Sequence, residues 1–88
     1  MPRSKRGSSR RRTEEPCIVT VLGEQPVTAT GLIIDVSGTG AALLLSNPIE
    51  IEPLVSVKYE SAVLMGEVRN CVHTRAGFRV GLEILGRD

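Results

Sequence analysis

Aromatic residues are nearly missing from this 88-residue chain: one Phe, one Tyr and no Trp. That counts against an RNA-binding surface that stacks bases on exposed rings. No apolar run approaches 18 residues, so no helical membrane span is expected. A single His, with no Ser or Cys placed beside it by context, leaves no nucleophile, base and orienting group to assemble, and the chain is not expected to be an enzyme. There are two cysteines, Cys17 and Cys71. Without a secretion signal they are expected to be reduced, buried thiols in a cytoplasmic protein. Cys71-Val72-His73 offers two metal ligands where a structural zinc site needs four, so no metal is expected. The length allows one small domain, which buries only about 60 to 65% of its unfolded surface and has little room for a walled catalytic cleft.

The charge is unevenly spread. The net value of +1 conceals a basic arm: Arg3, Lys5, Arg6, Arg10, Arg11 and Arg12 occur before any acid. The remainder carries ten acids and five bases. Such an arm seeks an anion, whether nucleic acid, an acidic membrane surface or a phosphate ligand. It is not a signal peptide, because Thr13-Glu14-Glu15-Pro16 follows it instead of an apolar segment. Residues 1–13 read as an arm unordered without a ligand, and residues 14–88 as the folded domain.

From Cys17 onward the pattern is β. Cys17 to Leu22 is rich in β-branched residues and closes at Gly23. Val27 to Val36 is a second run, and Ser37-Gly38-Thr39-Gly40 a tight turn. Ala41 to Leu45 is apolar throughout. Val55, Val57 and Tyr59 alternate with Ser56 and Lys58. Ala62 to Val72 is a long strand whose Gly66 predicts a bend or bulge. After Thr74-Arg75-Ala76-Gly77, Phe78, Val80, Leu82 and Ile84 alternate with Arg79, Gly81 and Glu83. Six short strands and no helical stripe predict an all-β fold, a small antiparallel barrel.

Two local features carry chemistry. Asp35-Val36-Ser37-Gly38-Thr39-Gly40 places an Asp, a Ser and a Gly where one strand ends and the next begins. Asp and Ser cap such turns and offer oxygens at the rim, and glycine permits positive φ and close approach of a ligand. Taken alone, the pattern also suits a ligand-free turn. Arg6-Gly7-Ser8-Ser9-Arg10 puts two arginines four apart within the basic arm. Gly38-Thr39-Gly40 is not a phosphate-binding loop, since it lacks the Lys and opens a strand. Arg69 and Arg79 extend an anion site only if they face the same rim. His73 reads as a surface residue.

An Arg-x-x-x-Arg arm followed by Asp-x-Ser-x-x-Gly at a strand–turn–strand junction resembles the PilZ family. Leu64-Met65-Gly66-Glu67-Val68-Arg69 and Phe78-Arg79-Val80-Gly81-Leu82-Glu83 look like the family's late strands. The resemblance covers roughly residues 6 to 85. It implies a six-stranded antiparallel β-barrel that binds cyclic di-GMP, a bacterial second messenger, with no cofactor. Arg6 and Arg10 match the arginines that grip the phosphates and stack on guanine. Guanidinium suits this task through its planar face and forked donors. Asp35 and Ser37 match the rim contacts, and Gly40 the last motif position. Arg11 and Arg12 are implied as further phosphate contacts. If registration is fixed from the first strand instead, Arg10 or Arg11 becomes the first arginine, and Glu14 or Glu15 takes the second position, where a carboxylate repels phosphate. Three readings follow: a cyclic di-GMP receptor signalling to a protein partner, a degenerate adaptor working through protein contacts alone, and a nucleic-acid binder using the arm. The acidic body disfavours the third.

Overall fold

β-branched and alternating segments pair into six strands: β1 (Arg11–Val21), β2 (Val27–Val36), β3 (Gly40–Leu45), β4 (Leu54–Tyr59), β5 (Ala62–Thr74) and β6 (Gly77–Arg87). The computed structural model describes residues 11–24, 26–49, 53–60 and 62–87, and no helix occurs among them. The strands close into an antiparallel barrel in the order β1-β2-β3-β6-β5-β4, with β4 returning to β1. The expected all-β barrel is therefore present.

The period of two sets the core. Val55 and Val57 of β4 and Val80 and Leu82 of β6 point inward and are buried, with Tyr59 and Ile84 packed against them. Val19, Ile33, Leu43, Leu45, Leu64 and Val68 complete the interior with almost no exposed surface. Full burial of each such side chain contributes roughly 1.5 to 3 kcal/mol.

Strand β1 starts at Arg11, six residues before the apolar run that announces it in sequence. Arg11 to Pro16 lack strand-forming character, and their pairing along β2 supplies the order instead.

Bulges re-aim side chains at four places. On β1, Arg12 pairs with Asp35 and Glu15 with Ile33, so β1 holds one residue more than β2. On β2, Ile33 pairs with Leu43 and Asp35 with Ala42, leaving Ile34 extra. On β5, Val68 pairs with Leu82 and Asn70 with Gly81, leaving Arg69 extra. The irregularity predicted at Gly66 is there, but the extra residue is Leu85 on β6: Met65 pairs with Gly86 and Gly66 with Ile84.

Cys17 and Cys71 are both free thiols. Cys17 lies in the core, and burial pushes its thiol above the ordinary 9.0, opposed by a backbone hydrogen bond at Gly31. A raised folded value means that this contribution to stability is complete below about pH 9 and is lost as pH climbs through the folded value. Alkylation by iodoacetamide at pH 8 is expected to modify Cys71, which is only partly buried, well before Cys17. Equal rates in the native protein, read by peptide mass mapping, would contradict the burial of Cys17.

Candidate functional site

The β2 bulge sets the site. Without it, Asp35 would follow Ile33 into the core. With Ile34 extra, Asp35 aligns with Ala42, the outward neighbour of the buried Leu43. The same level continues around the barrel, since Ala42 pairs with Gly81 and Gly81 with Asn70. Arg12 pairs with Asp35 on the other side. One cross-strand row therefore runs Arg12, Asp35, Ala42, Gly81, Asn70. Its two smallest residues are adjacent at its centre, and the outer face is hollow there.

The hollow is a cleft of about 220 Å³. Asp35, Asn70, Arg69 and Arg79 line it around a floor of Ala42 and Gly81, with Gly40, Ala41 and Leu82 beside them. Ala42 is only 5% exposed although it faces outward, because its neighbours rise above it. Arg69 is extra on β5, and its Nε donates to Glu83 Oε1 at 2.8 Å. Its Nη2 also pairs with Glu83 and lies 3.7 Å from Glu67. Arg69 and Glu83 are exposed and Glu67 is only partly buried, so the ion pairs add little to stability. Arg79 and Arg69 thus do face the cleft, with two acids on Arg69's side of it.

The turn beside the cleft is built by its serine. Ser37 N–H donates to Gly40 O at 2.8 Å. Ser37 Oγ accepts from the N–H groups of Gly40 at 3.1 Å and Thr39 at 3.3 Å, and donates to Gly40 O at 3.3 Å. Ser37 thus organises the loop, with its hydroxyl engaged inside the turn. The expectation that the glycines serve here through positive φ is corrected: among the described glycines only Gly77 has it. Gly40 is needed for closeness instead, since a Cβ there would lie 3.2 Å from Leu82 O, while around Gly38 there is open space.

The arm residues are placed unequally. Arg6 and Arg10 lie outside the described residues. Arg11 pairs with Val36, a residue packed against the core, whereas Arg12 holds the register position beside Asp35. Glu15 sits opposite the buried Ile33, one of its carboxylate oxygens shielded from solvent without a hydrogen-bond partner among the described residues, and Glu14 is exposed. His73 lies flat on Phe78, ring centroids 4.5 Å apart and planes at 11°. Sequence reasoning missed Ala42, Gly81 and Asn70. Their only signal, small side chains on two strands, becomes meaningful once the β3–β6 register is known.

A model of the PilZ domain matches residues 4–88. The chain belongs to the PilZ family. PilZ domains are binding and adaptor domains for cyclic di-GMP and partner proteins. Among solved structures, this PilZ chain is similar to the Bacillus subtilis inhibitor of motility (MotI/DgrA), at 14% identity and a TM-score of 0.62. The match covers 94% of this chain and 44% of that one, and the likeness is one of fold. No curated protein sequence matches. Among the described residues, no group of three or more His, Cys, Asp or Glu is placed to hold a metal ion, and no helix is long and apolar enough to cross a membrane.

Proposed function

We propose that this PilZ domain is a receptor for cyclic di-GMP in the bacterial cytoplasm that signals by changing its contacts with a protein partner. One observation carries the reading: the row that sets the Asp35 carboxylate beside a hollow floored by Ala42 and Gly81. A guanine edge presents N–H donors, and a carboxylate is the acceptor that suits them. Small floor residues let a flat base lie close to the strands. Arg79 and the arm's Arg6 and Arg10 supply cations for the phosphates, and Arg12 shares a register position with Asp35. Ser37 and Gly40 contribute by holding the turn.

The arm decides the affinity. Ordering five residues costs roughly 5 to 10 kcal/mol of backbone entropy. Hydrogen bonds to charged groups return about 1.5 to 3 kcal/mol each. Two arginines with several contacts offset the cost, and one does not. Isothermal titration of cyclic di-GMP at near-physiological salt is expected to give saturable binding, weakened at least about tenfold in Arg10→Ala and in Asp35→Ala. GTP should give no response. A second reading, an adaptor without nucleotide, draws on the carboxylates of Glu67 and Glu83 that hold Arg69 at the cleft. Absence of heat with the wild-type chain would select it.

A further inference from the structure

We propose that Arg87 is a positioning residue for the nucleotide turn, holding Asp35-x-Ser37-x-x-Gly40 in its binding shape from the far end of the chain. The inference rests on the receptor reading above for its ligand. Its geometry starts from the β6 bulge. Val80 and Leu82 point inward, so a regular strand would carry Arg87 on the outer face with Gly81 and Glu83. The extra residue Leu85 reverses this. Arg87 pairs with Leu64, which is 1% exposed, and therefore lies on the inner-face side at the barrel mouth.

From the mouth, the guanidinium reaches the turn. Arg87 Nη2 donates to Ser37 O at 3.0 Å and to Gly38 O at 3.4 Å. Ile84 N–H donates to Thr39 O at 2.9 Å. Three successive carbonyls of the turn are thus held by β6, while Ser37 Oγ satisfies the amides of Thr39 and Gly40 from within. The division of labour matches the chemistry: a hydroxyl takes the N–H groups, one guanidinium nitrogen takes the Ser37 and Gly38 carbonyls, and a backbone N–H takes that of Thr39. Asp35 lies two residues before Ser37, so a turn that frays releases the carboxylate as well. A clasped turn is ordered before the nucleotide arrives, and the ligand does not bear that cost. Linkage works both ways, so nucleotide in the cleft must also steady the end of β6.

The test compares Arg87→Ala and Arg87→Lys with Arg75→Ala. Arg75 is an exposed arginine in the β5–β6 turn, at the other end of β6, and its loss changes the net charge equally. Amide exchange in the unliganded proteins is the first readout. Arg87→Ala is expected to speed exchange at Ser37 and Gly40 about threefold to tenfold, the worth of one or two hydrogen bonds, with Leu43 and Val80 unchanged. Arg87→Lys, which keeps the charge without the fork, is expected to fall between it and wild type. Arg75→Ala should match wild type. Titration of cyclic di-GMP is expected to weaken by a similar factor in Arg87→Ala alone. Wild-type exchange at Ser37 and Gly40 in Arg87→Ala overturns the clasp. Faster exchange with unaltered affinity overturns the positioning role. A wild-type chain that takes up no cyclic di-GMP overturns the receptor reading, and the exchange rates still decide the clasp. Should Arg87→Ala fail to fold, the Arg87→Lys exchange rates decide the same question.

Discussion

Gly81→Leu is expected to leave the barrel folded and to abolish cyclic di-GMP binding. Gly81 forms half of the cleft floor, between Ala42 and Asn70. A Cβ at this position would meet the Asn70 amide first, at 2.8 Å from Oδ1 and 3.1 Å from Nδ2. That amide ends an exposed side chain and can swing toward solvent. Replacing a strand glycine also recovers about 0.5 to 1 kcal/mol of backbone entropy. The stability change should therefore be small. The binding change should not, because a leucyl side chain occupies the hollow in which a base would lie. We expect at least about a hundredfold loss of affinity, equivalent to about 2.7 kcal/mol. Thermal melting beside calorimetric titration separates the two effects. A folded Gly81→Leu protein that binds like wild type would show that the nucleotide does not use this cleft.

The largest loss of stability is expected from Gly77→Ala. Gly77 closes the β5–β6 turn with a φ of +140°, a conformation closed to residues with a Cβ. The added carbon would lie 2.5 Å from the carbonyl oxygen of Leu45, which is backbone and cannot turn aside. The turn around it is fastened too: Thr74 Oγ1 donates to Gly77 O at 2.9 Å and accepts from Ala76 N–H at 3.1 Å. Strain and overpacking together predict a loss of about 3 kcal/mol or more. For a domain of this size that lowers the melting temperature by roughly 12 to 24 °C. Gly38→Ala, made in open space, is the control and should melt close to wild type. Similar melting of Gly77→Ala and wild type would contradict the close approach of β6 to β3.

The strands were legible because their signals are local. Val55-x-Val57 and Val80-x-Leu82 show which face is buried, and Ser37–Gly40 and Thr74–Gly77 show where the chain reverses. Arg11 to Pro16 were not legible as strand, since charged residues and a proline become extended here through pairing with β2. Asp35 was legible from its motif, but the reason it faces outward was not. That depends on one surplus residue, Ile34, measured against a partner strand. The cleft was invisible for the same reason: Ala42 and Gly81 are 39 positions apart and become neighbours only through the β3–β6 register. The link between Arg87 and Ser37 spans 50 positions and carries no motif.

The order of strands around the barrel also bears on how the molecule comes to exist. β2 and β3 form a hairpin, as do β5 and β6, and each can assemble from residues close in the chain. The β3–β6 seam joins Gly40 to Glu83 and must wait for a long loop to close, which is the slow kind of step in folding. The cleft straddles that seam, with Asp35 and Ala42 on one side and Gly81 and Asn70 on the other. A growing chain therefore holds only the Asp35 and Ala42 half of the site until β6 has been synthesised and docked. Nucleotide present during refolding should act late, slowing the reopening of the seam and leaving the early hairpins unaffected.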